Sequence, residues 1–175
     1  MNEIEVLLAQ TKSTHHWMNE LIYSIPEDKW GITPENLDTN VLWQVGHLIM
    51  SEAYHGVFCI QGFPMDLVQQ MPLRDYSNSF SFYEPPANAV GKFKPEDLKK
   101  HLKIIQDKVL DVYDKLTLED MPKPLEPTKV PHPVAKTKFE ALSWNVQHNM
   151  WHCGQLGILK RIVDERYDFG LRKPE

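Results

Sequence analysis

Apolar residues recur at helical spacing in four stretches of the chain. In the first, Ile4, Leu7, Thr11, Thr14, Met18, Leu21 and Ile25 follow one another at alternating intervals of three and four, and Pro26 closes the run. In the second, Asn40 is placed to cap a helix whose seam is Trp43, His47, Met50, Tyr54 and Val57, ending near Gly62 and Pro64. The third starts with Pro95 at its first position and carries Leu98, Leu102, Ile105, Val109, Val112 and Leu116 in heptad spacing. The fourth opens with Thr137 and Glu140 in capping-box spacing. Its single face carries Ala141, Trp144, His148, His152, Gln155, Leu159 and Ile162, and the pattern runs until Gly170.

Two long connections separate these helices. Residues 64–94 hold Pro64, Pro72, Pro85, Pro86 and Gly91 among polar and aromatic residues, which excludes a long helix, leaves room for a short one, and suggests a crossover or lid. The segment MPKPLEPTKVPHPVAK, residues 121–136, has five prolines and is expected to link in an extended, stiff form rather than to pack. No alternating run points to a sheet and no repeat is evident. The expected fold is therefore all-α, a four-helix bundle forming one domain over residues 1–175, with long loops between helices two and three and between three and four.

Composition narrows the function. With 42% hydrophobic and 25% charged residues, the chain has the make-up of a globular protein. A net charge of −5, with lysines scattered among acidic residues, offers no basic stripe for a phosphate backbone, so nucleic acid is not an expected partner. The N-terminal MNEIEVLLAQTK lacks the basic start of a secretory signal, and no apolar run approaches the roughly 20 residues that span a bilayer. The two cysteines, Cys59 and Cys153, show no metal or disulfide spacing, which fits a reducing cytoplasm.

Among the eight histidines, three fall on predicted core stripes. His148 and His152 are one turn apart on one face of helix four and can both reach one ion. That spacing alone is common in amphipathic helices, so a third ligand must come from elsewhere. His47 sits inward on helix two between Trp43 and Met50, where an unpaired imidazole is costly to desolvate. Either it meets a partner, such as the hydroxyl of Tyr54 or Tyr23, or it binds an ion. Three neutral imidazoles hold zinc, nickel, copper or iron and leave coordination positions open for water or substrate.

WQVGHL (43–48) followed by HNMWHCGQL (148–156) resembles the DinB/YfiT family of metal-dependent enzymes. The resemblance implies a four-helix bundle of unusual helix order, a homodimer, and a divalent transition metal, zinc or nickel, held by His47, His148 and His152. It also implies thiol-dependent chemistry: an S-transferase or hydrolase acting on a small electrophilic substrate with a low-molecular-weight thiol. The alternative from another class is a non-catalytic, metal-binding or stress-associated bundle. Histidine ligation implies a metal affinity that falls below about pH 6.5, where free imidazole protonates.

The remaining candidates carry less. His15 and His16 are adjacent, so they point about 100° apart and at least one is expected in solvent. His101 and His132 are expected at the surface. Glu52 and His55 form an ExxH, but the second ExxH of a di-iron bundle is missing; Glu52 is read as solvated or pairing, and His55 as lining the pocket entrance. Asn149 stands where a zincin protease has its glutamate, which argues against that mechanism. Cys153 is read as a small buried apolar residue, Gln155 as a partner for a histidine's outer nitrogen, and Trp43, Trp144 and Trp151 as core aromatics.

Overall fold

The computed structural model describes residues 1–170. Helix α1, Glu3–Tyr23, begins with a capping box: Asn2 Oδ1 accepts from Glu5 N, and Asn2 N donates to Glu5 Oε2, both at 2.9 Å. Its buried face is the one the spacing predicts, with Leu7, Thr11, Thr14, Met18 and Leu21 all inward. Helix α2, Val41–Ser51, starts at Asn40, whose Oδ1 accepts from Trp43 N at 2.8 Å. The same helical rod continues as a π-helix over Glu52–Phe58 and finishes as α3, Cys59–Gln61, where Gly62 takes a positive φ of 83°.

The first connection holds two short helices, α4, Met65–Gln70, and α5, Leu73–Ser79. Helix α6, Pro95–Tyr113, has its proline in the first turn and buries Leu98, Leu102, Ile105, Val109 and Val112. Helix α7, Lys138–Val163, opens on the Thr137–Glu140 capping box. The architecture is all-α: α1 packs along α7, the α2–π rod packs on both α6 and α7, and the buried apolar side chains form one cluster. No helix among the described residues is long and apolar enough to cross a membrane.

Three expectations need correction, each for a physical reason. First, the π-helix adds a residue per turn, so the stripe predicted at a period of 3.6 does not run straight through it. Tyr54 becomes half-buried, while Glu52, His55 and Gly56 turn inward. Second, polar and apolar residues are mixed all round α7, so spacing alone does not fix its buried face. That face is centred on Asn145 and Asn149, each 1% exposed; Trp151 and Ile162 point outward at 60% and 53% exposure, and Trp144 is half-buried. The helix also ends at Val163 rather than Gly170, where the Asp164 carboxylate is held by Lys29 at 2.6 Å and Lys160 at 2.9 Å.

Third, the proline-rich strap of residues 121–136 packs. Glu126 N donates to Cys59 O at 2.9 Å, Pro124 pairs with Thr137 in an isolated antiparallel bridge, and Tyr54 Oη donates to Val130 O at 2.7 Å. Proline removes backbone donors from the strap, so acceptors and side chains make many of its attachments. The strap thereby becomes a wall of the cavity beside the histidines.

Candidate metal centre

His47 comes from the middle of α2, and His148 and His152 from successive turns of α7. Each offers one ring nitrogen to a common point, and these atoms all lie within 4.8 Å of one another. The indole of Trp43, one turn before His47, stacks on its ring at 4.8 Å with only 8° between the planes. This fixes the tilt of His47, while the helix geometry of an i, i+4 pair fixes the other two rings.

The outward nitrogens decide what the inward ones can do. His47 Nδ1 donates to the carbonyl of Phe80 at 2.9 Å. A carbonyl only accepts, so the proton of neutral His47 is on Nδ1 and Nε2 presents a lone pair. His152 Nδ1 lies 2.5 Å from Gln44 Oε1, and the amide nitrogen of Gln44 donates in turn to Thr39 Oγ1 and Gln155 Oε1. That chain sets the Gln44 oxygen toward His152, so its Nε2 is also a free lone pair. His148 Nδ1 meets the Ser51 hydroxyl at 2.8 Å.

A hydroxyl works in either direction, and this has a use. Nε2 of His148 and Nε2 of His152 are 3.2 Å apart, so without a cation one of them must carry a proton. Ser51 can donate to His148 Nδ1 in that state and accept from it when Nε2 is needed as a ligand. Three converging imidazole nitrogens with outer hydrogen bonds on each ring are a donor set suited to a divalent ion of the first row.

Electrostatics agree with this arrangement. Burial lowers the pKa of His47 despite the bond to Phe80, burial and the neighbouring His47 push His148 down to about 4, and burial with both neighbours pushes His152 down to about 2. All three are neutral at pH 7, the form that ligates.

The model of the DinB superfamily matches residues 10–156, most of the chain. The chain belongs to the DinB superfamily. No curated protein matches it. Within this DinB-superfamily chain, a cavity of about 660 Å³ opens beside the histidines, lined by His47, Ser51, His55 and His148 at its polar end and by residues such as Phe58, Phe63, Phe80 and Val130 elsewhere.

Gly46 explains why Phe80 can sit where it does. A Cβ on Gly46 would lie 2.4 Å from the Phe80 ring, so only glycine lets that ring lie on α2 and bring its carbonyl to His47. The Tyr54 and Tyr23 hydroxyls do not satisfy His47: Tyr54 bonds Val130, and Tyr23 is 51% exposed.

Several residues of this DinB-superfamily chain fall elsewhere than their spacing suggests. Glu52 is fully buried behind the three histidines. Its Oε1 takes His15 Nε2 at 2.9 Å and Asn149 Nδ2 at 2.6 Å, and Asn145 Nδ2 lies 3.4 Å from its Oε2. Burial alone would depress His15, but the charge and hydrogen bond of Glu52 outweigh it and raise the pKa; His16 is exposed. His132 is half-buried against His55 rather than solvated, and His101 bonds Tyr76 Oη at 2.6 Å. Gln155 holds Gln44 and reaches the histidine only through it. Cys59 and Cys153 are buried thiols, raised by burial to about 11 and about 12, and therefore not thiolates at neutral pH.

Sequence reasoning missed Gln44, Ser51, the Phe80 carbonyl and the Asn145–Asn149 pair. The last had a signal: two asparagines at i, i+4, offset by three from the histidine pair.

Proposed function

We propose that the chain is a metal-dependent enzyme in which His47, His148 and His152 hold one divalent ion, zinc or nickel, through Nε2. Its substrate is a small electrophile that enters the cavity with a low-molecular-weight thiol as the nucleophile. The observation that carries this reading is the orientation of the three rings, each tied outward at Nδ1 with Nε2 turned inward, beside an open cavity. A bound divalent ion would act there as a Lewis acid that brings a thiol or water to its anionic form near neutral pH.

The protein's own part is binding and orientation. The cavity wall is mainly apolar, which suits a hydrophobic substrate body and limits water beside the histidines. No carboxylate is among the described lining residues, and Glu52 is occupied by His15 and the two asparagines, so no carboxylate base stands ready to activate water. That favours transfer to a thiol over base-assisted hydrolysis. A closed, structural metal site has four protein ligands; three beside a cavity favour catalysis over storage.

The test is metal content by mass spectrometry on untagged, chelator-free protein, compared with His148→Ala, followed by thiol-consumption assays with the metal found. About one equivalent that vanishes in the variant supports the reading. Negligible metal in both after incubation with each candidate ion ends it. A homodimer is also proposed, with the exposed stripe Trp151, Ile158 and Ile162 of α7 as its surface; sedimentation as a monomer at all concentrations would exclude it.

A further inference from the structure

Three imidazoles line the cavity, those of His47, His148 and His55, and the last is held in a different way. His55 lies in the π-helix, its ring 5.5 Å from that of His148 and part of the cavity wall. Its Nδ1 is 2.8 Å from Nε2 of His132, which comes from the proline-rich strap.

The far side of His132 gives the direction of that bond. His132 Nδ1 accepts the backbone N–H groups of Val134 at 3.1 Å and Ala135 at 2.8 Å. Backbone amides only donate, so this nitrogen has no proton. A neutral imidazole carries a single ring proton, which must then be on His132 Nε2, and from there it is donated to His55 Nδ1. His55 Nδ1 is thereby an acceptor, and the proton of His55 sits on Nε2.

Each ring keeps Nδ1 bare as an acceptor, so neither is an imidazolium and both are neutral. Among the described residues His55 Nε2 meets no hydrogen-bond partner, yet it is not one of the fully buried unpaired atoms. It therefore reaches the open space of the cavity. A nitrogen that carries a proton has no lone pair for an ion, which separates His55 from the three neighbours whose Nε2 is bare or can become so.

We propose that His55 is a fixed, neutral hydrogen-bond donor to an acceptor oxygen of the small molecule in the cavity, and that His132 keeps it from becoming a fourth ligand. The inference rests on the cavity being the substrate site beside the metal cluster, as proposed above. It narrows the substrate to an electrophile with a carbonyl or carboxylate oxygen near its reacting carbon and an apolar body to meet Phe58 and Phe63. In the reaction an N–H aimed at that oxygen stabilises negative charge as it develops.

Two measurements test it. In the ¹⁵N-histidine-labelled chain, stripped of metal and held at pH 7, long-range ¹H–¹⁵N correlation spectra show which ring nitrogen bears the proton. His55 and His132 should both be protonated at Nε2. His132→Leu removes the donor and should shift His55 to a mixture of tautomers, whereas His132→Gln, whose amide can donate to the same atom, should retain the Nε2–H form. His55 protonated at Nδ1 in the unaltered chain, or unmoved in His132→Leu, overturns the proposal.

The second measurement uses acetohydroxamate as the oxygen probe on zinc-loaded protein. His55→Phe should keep its zinc and its melting curve and weaken the probe about tenfold, the effect of one hydrogen bond. Unchanged probe affinity overturns the donor role, and loss of zinc in this variant overturns the claim that His55 is not a ligand. If the unaltered chain takes up no metal, the proposed function fails while the spectra still decide the tautomer.

Discussion

Phe80 lies directly on Gly46, and this contact places the Phe80 carbonyl 2.9 Å from Nδ1 of His47. Gly46→Ala should improve helix propensity by up to about 1 kcal/mol. Against that, the new methyl would occupy the position of a fully buried ring, a form of overpacking that costs about 1–3 kcal/mol. The clash involves a whole ring rather than a flexible chain end, so the loss should win. Thermal melts should show a lower Tm, and calorimetric titration should show weaker metal binding because His47 loses its tether. A variant as stable as the parent, with unchanged affinity, would mean that Phe80 does not position His47.

Gln44 and Gln155 form a graded pair. Gln44→Leu deletes the acceptor of His152 directly and should lower metal affinity about 10- to 100-fold, the usual effect of losing a group that orients a ligand. Gln155→Ala removes only one of the two acceptors that hold Gln44, so its effect should be the smaller of the two. Competition with a chromophoric chelator measures both. The reverse order would break the chain of contacts described for His152.

Acid should act on the fold before it acts on the folded site. His148 titrates at about 4 in the fold and near 6.5 when unfolded, so between those values the unfolded chain binds more protons and stability falls with falling pH. For His148 this is about 2 kcal/mol from pH 6.5 to 5, and the lowered His47, His55 and His152 act in the same direction. Urea melts of the metal-free chain should therefore show a clear loss over that interval. Metal affinity of the folded chain should decline less over it than free imidazoles predict, because burial keeps His148 and His152 neutral there and lowers His47 as well. A steep decline in affinity with no loss of stability would contradict both.

Glu52→Gln should be strongly destabilising, by about 3 kcal/mol, since it strips the buried His15 of its charged partner and turns an amide donor toward other donors. The raised pKa of His15 contributes stability that is fully present below about pH 6.5 and fades as pH rises through the raised value. In the variant that alkaline decline should be absent, and NMR titration should place His15 below 6.5. A His15 titration unchanged by the substitution would show that Glu52 does not set it.

The long helices α1 and α6 were legible because their apolar positions keep one period from end to end, and Pro95 in the first turn of α6 and the Thr137–Glu140 capping box of α7 mark two of the starts correctly. The three histidines were legible for the same reason, being chemically distinctive residues at helical spacing. The buried face of α7 was not, because a helix with polar and apolar residues mixed all round has no contrast to read, and the inward Asn145 and Asn149 meet Glu52, a partner from another helix. The partners of Nδ1 were out of reach altogether: one is a backbone carbonyl from the first connection, and others depend on side-chain placement across helices. His132 illustrates the point, since a histidine between two prolines looks solvent-bound until the strap is seen folded over Tyr54 and His55.

The seven-residue π-helix makes the length of this rod as informative as its composition. Deleting one residue there would restore α-geometry and redirect the side chains inside the stretch, while the far end of the rod would stay close to its present register. Ser51 and His47, on the near side, would keep their places, while His55 would swing away from the strap and Gly56 away from Val109. A single-codon deletion in this stretch is thus a more severe event than most substitutions, and a comparison of helix lengths among related chains would separate those that retain the fourth imidazole from those that keep only the three-histidine cluster.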